Sequence, residues 1–404
     1  MEKNKRRDEE ADSRVGEEGG RGGRVFVFFF FSSRRRHARF LPVSWARNVY
    51  KGQDDSAIAR GIVTRTLEEE QGFKVVASVP NGLMVLKAIG NHVTDVVVLD
   101  IEMPQLDGLA ALPQLLERRP GLKVIMVSSA SQRDADISLK TMAMGAADYV
   151  AKPMAGLGGA ESFRAELVRK VREHGARRTA SARKKHTPAK SAASTGVQPA
   201  ASRKPARKLV KPEVIAIGSS TGGPQALAEV LRNIDPAFTQ PILVTQHMPA
   251  TFTALLAEHM TRYSGRLAAE ARDGEPLEPG RIYIAPGGKH MLVEQRAAGG
   301  AIIRLDDGPP ENSCKPAVDP MLRSLAKTFG ERLLVVILTG MGCDGLKGSQ
   351  TVIEEGGRVL AQDRESSVVW GMPGAVAQAG LCEEILPLWQ IGAAIARIAG
   401  GEGK

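Results

Sequence analysis

Cysteine and aromatic residues are scarce in this chain. Its 404 residues include three cysteines, Cys314, Cys343 and Cys382, and aromatics make up 4%. No two cysteines stand at C-x-x-C spacing, so neither a disulfide framework nor a zinc site follows from them. A reducing, cytoplasmic setting is expected. With so few aromatics, aliphatic side chains must fill the cores. Long apolar runs are missing too. The run from Val25 to Phe31 falls far short of the ~20 residues that span a bilayer. Ser32, Ser33 and an Arg-rich tract follow it where a signal peptide would have a small-residue cleavage site. Membrane insertion is not expected.

What is present suits globular α/β domains. At 43% hydrophobic and 25% charged residues, the chain has room for two or three units of roughly 100–200 residues each. The formal net charge of +10 arises near the N-terminus and between about Arg164 and Lys211. A basic linker attracts any polyanion without specificity, and no helix-turn-helix pattern accompanies it, so nucleic acid is not expected as a main partner. Residues 1–48 are set apart from the fold as a disordered or artefactual N-terminus. MEKNKRRDEEADSRVGEEGGRGGR is low in complexity, VFVFFFFSSRRRHARF lacks a period that fits a packed element, and FFFFSSRRRH resembles translated adapter sequence. The remaining boundaries are a first domain over 49–175, a basic flexible linker over 176–211 rich in Ala, Arg, Lys, Ser and Pro, and a second domain over 212–404.

Apolar runs alternate with helical patterns in both domains. FKVVASV (73–79), DVVVLD (95–100), KVIMVSS (123–129) and ADYVAK (147–152) read as strands. Helical patterns lie over 56–70, 82–90, 109–117, 137–144 and 161–174. Beyond the linker, strands are expected at 214–217, 241–246, 281–285, 333–339 and 358–362. A β-hairpin formed by 291–295 and 301–305 is expected as an insertion in that sheet. This alternation implies parallel sheets covered on both faces. The fold class is therefore α/β, two doubly wound parallel-sheet domains.

Strand C-termini of such sheets share one edge, where ligands bind. In the first domain that edge collects Asp54 and Asp55 ahead of a helix, Asp100 ending DVVVLD, Ser128 ending KVIMVS, and Lys152 ending ADYVAK. Three carboxylates together repel one another unless a hard cation such as Mg²⁺ lies between them. A lysine and a hydroxyl beside them suit the oxygens of a phosphoryl group on Asp100. DDSAIAR, VLDIEMPQLDG, MVSSA and GAADYVAKP resemble the receiver domain of response regulators, which has a flavodoxin-like fold. The resemblance implies Asp100 as phosphorylation site, Asp54, Asp55 and Asp100 as Mg²⁺ ligands, and Ser128 and Lys152 as switch residues. One departure stands out. A receiver's aliphatic first strand should lead straight into the acidic pair, but RNVYKGQ (47–53) is polar, so the central strand is expected to be damaged or replaced.

In the second domain, VIAIGSSTGGPQAL (214–227) runs from strand through loop to helix. Gly218-x-Ser220-x-Gly222 has the spacing of a nucleophile elbow, although a glycine-rich turn of this kind could also cradle a phosphate. No GK[ST] ending supports the phosphate reading. A serine hydroxyl needs a base, and His247, just past the next strand in PILVTQHMP, lies on the same edge. His259 is read as a helix residue, and His290, in APGGKHM, as a residue on the substrate side. Asp344 follows the apolar run LLVVILT and supplies the acid that fixes the base; amides near Met341 suit an oxyanion. GMGCDG also matches a dinucleotide-binding G-x-G-x-x-G, with Asp363 about twenty residues on. That reading places Asp344 against a pyrophosphate and leaves Ser220 and His247 without a role.

IGSSTGGPQAL, TQHMPATFT, IAPGGKHM, KPAVDPML and ILTGMGCDG together resemble the catalytic domain of the chemotaxis-type protein-glutamate methylesterases, the CheB family. The resemblance covers about residue 54 to the C-terminus. It implies a Rossmann-like second domain with Ser220 as nucleophile, His247 as base and Asp344 as acid. Met341 is implied as oxyanion donor, with Thr221 and His290 near the substrate and no cofactor in the esterase site. It further implies demethylation of glutamate methyl esters on methyl-accepting chemotaxis receptors, deamidation of certain glutamines there, and phosphorylation by a chemotaxis histidine kinase.

Overall fold

The computed structural model describes residues 25–30, 55–129, 131–152, 159–184, 210–235, 237–297 and 299–400. In the first domain the strands are β1 (Val25–Phe30), β2 (Phe73–Val79), β3 (Val96–Asp100), β4 (Lys123–Ser128) and β5 (Asp148–Ala151). The helices are α1 (Asp55–Glu68), α2 (Gly82–Asn91), α3 (Gly108–Arg118), α4 (Gln132–Ala143) and α5 (Gly159–Lys184). All strand pairs are parallel, in the order β2-β1-β3-β4-β5, the doubly wound arrangement of flavodoxin-like folds. Both faces of β3 are covered. Val96 and Val98 pack with Leu67 of α1 and Leu167 of α5, while Val97 and Leu99 pack with Leu112 and Leu115 of α3.

The N-terminal region requires a correction. Residues 25–30, set apart from the fold on sequence, form the strand between β2 and β3, with Val27 opposite Val96 and Phe30 opposite Leu99. The physical reason is the one that hid it. A strand at the centre of a doubly covered parallel sheet shows a continuous apolar run instead of a period of two, and Val and Phe favour extended backbone. The central strand is thus replaced, as RNVYKGQ had suggested, and the replacement lies upstream of it. Residues 31–54, including Asp54, fall outside the described residues.

The second domain is built on one parallel sheet and a hairpin. Its first strands and helices are β6 (Val214–Ser219), α6 (Gly223–Arg232), β7 (Ile242–Gln246), α7 (Ala250–Ser264), β8 (Ala268–Glu270) and β9 (Ile282–Ile284). The hairpin is β10 (His290–Gln295) and β11 (Ala301–Asp306). There follow α8 (Val318–Phe329), β12 (Leu333–Ile337), α9 (Leu346–Glu354), β13 (Arg358–Gln362), α10 (Met372–Gln378), β14 (Glu384–Leu386) and α11 (Leu388–Gly400). The sheet runs β14-β13-β12-β6-β7-β9-β8. The hairpin forms a two-stranded sheet of its own, bridged at Ile302 to Pro276, so it is a separate ribbon rather than an insertion in the main sheet. It packs on the α8 side, where Met291, Val293 and Ile303 meet Met321, Leu322 and Leu325. The short edge strands β8 and β14 carry too few residues to show a pattern in sequence. Helix α5 runs on to Lys184, beyond the expected start of the linker at 176, and 185–209 lie outside the described residues.

The two domains share one apolar cluster. It passes from Leu99, Met126 and Tyr149 through Phe252 and Leu256 of α7 to Val244 and Ile284. The rings of Tyr149 and Phe252 stack at 4.6 Å. Gln225 of α6 donates to the carbonyls of Met142 and Ala146, and His259 bonds Asp136 of α4 at 3.2 Å. His259, read as a helix residue, therefore joins α7 to the first domain.

Candidate active site

The turn after β6 is held from three sides. The Ser220 amide donates to Thr339 O at 3.0 Å, and the Gly223 amide donates to Ser220 O at 2.7 Å. Gly222 takes a left-handed φ of 75° at the start of α6, a conformation glycine adopts without cost. Ser219 is fully buried and its hydroxyl donates to Gln246 Oε1, while Gln246 Nε2 donates to Ser220 O at 2.9 Å. A Cβ on Gly223 would come within 1.9 Å of Gln246 Oε1, so this glycine provides room for the anchor. Ser219 therefore fixes the turn, and Ser220 lines the cavity beyond it.

That cavity measures about 710 Å³, and its walls include Ser220, Thr221, His247, Cys314, Met341 and Asp344. His247 follows β7, its amide donating to Ser219 O at 3.1 Å. Its Nε2 meets Asp344 Oδ2 at 2.7 Å, and its Nδ1 faces Cys314 Sγ at 3.4 Å. Among the described residues no hydrogen bond joins the Ser220 hydroxyl to His247; the structure brings His247 and Asp344 together and sets Ser220 in the same cavity.

Asp344 is 2% exposed and accepts from an unusual number of donors. The amides of Val318 and Asp319, the first turn of α8, donate at 2.6 and 3.1 Å. The Gly345 amide and Asn312 Nδ2 add bonds at 3.0 and 2.9 Å. A carboxylate at a helix N-terminus also gains from the dipole. Burial pushes the Asp344 pKa up, but the His247 ring and these amides outweigh it and hold the group below its ordinary value. Burial likewise disfavours a charged His247, yet the bond to Asp344, with Cys314 contributing, raises the ring above its ordinary value.

The remaining expected residues divide. Thr221 is 4% exposed and its carbonyl accepts from Thr339 Oγ1. His290 corrects its assignment to the substrate side. It is buried, its Nε2 meets Pro309 O at 3.0 Å, and its Nδ1 accepts from the Ala317 amide at 3.1 Å. It clamps the backbone before and after the 311–314 turn and does not line the cavity. Asp363, the acid of the rival dinucleotide pattern, accepts at Oδ1 from the amide and hydroxyl of Ser366 in a local turn. Sequence reasoning missed Gln246, Asn312 and Cys314, which carry no motif spacing. Asn312 and Ser313, polar residues that tolerate left-handed turns, were the faint signal.

At the corresponding edge of the first domain, Asp100 is 1% exposed, and Lys152 Nζ lies 2.8 Å from both of its carboxylate oxygens. Ser128 is buried beside them with no hydrogen-bond partner for its Oγ. Asp55 begins α1, but its side chain and all of Asp54 lie outside the described residues. Among the described residues, no group of three or more His, Cys, Asp or Glu is arranged to hold a metal ion. Of the three expected Mg²⁺ ligands only the Asp100 side chain is described, and both of its oxygens face Lys152 Nζ.

Comparison with known proteins decides the family. Residues 215–395 match the CheB methylesterase model and residues 53–157 the response regulator receiver domain. A protein-glutamate methylesterase/protein-glutamine glutaminase of Azospirillum brasilense is 53% identical over 360 residues, 86% of this chain and 91% of that protein. The chain belongs to the CheB methylesterase family. A relative of the same name from Paramagnetospirillum magneticum is 52% identical, over 86% of this chain and 94% of the other. The crystal structure of the Thermotoga maritima CheB methylesterase catalytic domain matches at 40% identity with a TM-score of 0.45, covering 47% of this chain and all of that one. Among the described residues no helix is long and apolar enough to cross a membrane.

Proposed function

We propose that this CheB-family chain is a phosphorylation-controlled serine hydrolase. It removes methyl groups from glutamate γ-esters on methyl-accepting chemotaxis receptors, releasing methanol, and deamidates specific receptor glutamines. It works in the cytoplasm. The observation that carries the chemistry is the 2.7 Å pair of His247 and Asp344 in the cavity that Ser220 lines. Ser220 Oγ attacks the ester carbonyl while His247 takes its proton, and the Met341 amide receives the developing oxyanion. His247 returns the proton to the leaving methanol, and water then hydrolyses the acyl-enzyme by the same route. With Nε2 committed to Asp344, Nδ1 is the nitrogen left for Ser220. Substrate entry must exchange its Cys314 contact for the Ser220 hydroxyl.

Control follows from the shared cavity. Glu166, Arg169 and Lys170 of α5 line it opposite Ser220, and Arg169 Nη1 lies 2.8 Å from Met341 Sδ. The receiver domain covers the site until Asp100 accepts a phosphoryl group from a histidine kinase, which shifts the packing of the two domains. Asp100, with Asp54 and Asp55, would hold Mg²⁺, whose charge offsets that of the incoming phosphoryl group. Lys152 neutralises the Asp100 carboxylate and Ser128 is placed to meet a phosphoryl oxygen.

Methanol release from methylated receptors, with and without a small phosphodonor, tests both halves. Ser220→Ala is expected to abolish release with the fold intact, and full activity in that variant would refute the triad. Asp100→Asn should keep the basal rate and lose stimulation; persistent stimulation would place the phosphoryl group elsewhere.

A further inference from the structure

The structure assigns a positioning role to Asn312, a residue outside the proposed triad. This rests on the serine-hydrolase reading above. Residues Glu311 to Cys314 form a tight turn closed at both ends. The Cys314 amide donates to Glu311 O at 2.9 Å, and the Glu311 amide donates to Cys314 O at 3.1 Å. Its central residues, Asn312 and Ser313, have φ of 51° and 62°, the left-handed pair of a type I′ turn. Asparagine tolerates that backbone better than most residues. The turn is fastened to α8 by two bonds between the Arg323 guanidinium and the Glu311 carboxylate, at 2.8 and 2.6 Å.

From this turn the Asn312 carboxamide reaches between two buried carboxylates. Its Nδ2 donates to Asp344 Oδ1 and to Asp319 Oδ2, both at 2.9 Å. Asp319 is 1% exposed, and its other oxygen accepts from the Gly348 amide at 2.7 Å. Two carboxylates this close repel each other, and a buried one without donors is costly. The carboxamide satisfies one oxygen of each. With the Asp319 and Gly345 amides, which also donate to Oδ1, it holds the rotation of Asp344 that turns Oδ2 to His247, and it is the only side chain among those three donors. Two residues on, Cys314 faces the other ring nitrogen of the same histidine. A single turn thus sets the acid through Asn312 and abuts the base through Cys314, without touching the reacting atoms through Asn312.

Asn312→Gly separates the side chain from the backbone, since glycine takes the left-handed turn readily and lacks the carboxamide. In the full chain, kcat for methanol release should fall about 10- to 100-fold while KM changes little. Asp344, relieved of one donor, should hold the imidazolium more tightly, so the acidic limb of the rate profile should move to higher pH. The low-field imidazole proton of His247, followed by NMR, should shift as well, a readout independent of turnover. Asn312→Asp keeps the turn and adds a third carboxylate, and should lower kcat further. Asn312→Gly with the parental kcat, acidic limb and proton resonance would overturn the assignment. So would a loss confined to KM with the resonance unchanged. Ser220→Ala in the same assay separates the two readings: activity there defeats the triad, whereas a dead Ser220→Ala beside an unaltered Asn312→Gly defeats only the role of Asn312.

Discussion

At the scale of single residues, Asp344 serves two elements at once. It accepts from the first two amides of α8 and from the His247 ring. The sign of the coupling follows from the direction of the His247 shift. A ring whose folded pKa is raised adds stability that is fully present below its ordinary value of 6.5 and is lost as pH rises through the raised one. The same shift withholds the free base at low pH, so the rate of methanol release should climb along a limb lying above 6.5. Asp344→Asn should move that limb down toward ordinary histidine and reduce kcat by roughly three to four orders of magnitude, as a pH–rate profile would show. That Ser220, His247 and Asp344 meet in one cavity was legible because each follows an apolar run, and parallel strands bring such ends to one edge. Asn312 and Cys314 were not, because a four-residue turn announces its backbone and not the groups its side chains reach. His290 was misread for a related reason. A histidine after a glycine-rich loop looks accessible, and only packing shows that its two nitrogens bond to backbone.

Between elements, α5 is tied to β5 by buried charge. Lys170 is 6% exposed, and its Nζ bonds Asp148 Oδ1, Glu166 Oε1 and Tyr149 O. Burial opposes ionisation of both partners, but the Lys170 charge wins at Asp148 and depresses its pKa. The charges of Asp148 and Glu166 win at Lys170 and raise its pKa. The depressed group contributes stability above its ordinary value of 3.8, lost as pH falls toward the depressed one. The raised group contributes below 10.5, lost as pH climbs past the raised one. Removing one partner strands the other, so Lys170→Met should cost the first domain about 3–5 kcal/mol in denaturant unfolding. Lys170→Met combined with Asp148→Asn should recover part of it. Most strands and helices here were legible from period and run length. β1 was not, since its run VFVFFF has no alternation to detect, and the three-residue edges β8 and β14 are shorter than any pattern.

For the whole molecule, the receiver and esterase domains share a wall. Arg169 stands over Met341, and Gln225 and His259 fasten α6 and α7 to the first domain. Arg169→Ala should raise the unstimulated rate several-fold and narrow the gain from a phosphodonor, as the same methanol assay would read. An unchanged basal rate would show that the contact does not restrain access. The position of β1 has a consequence for biosynthesis. Its partners β2 and β3 both follow it in the chain, so VFVFFF leaves the ribosome before either neighbour exists. Apolar segments of that length and β-propensity, left unpaired, nucleate aggregates. The central strand of the receiver therefore depends on protection during translation until β3 has been made, and slow elongation over the codons between β1 and β3 should lower soluble yield more than a later pause.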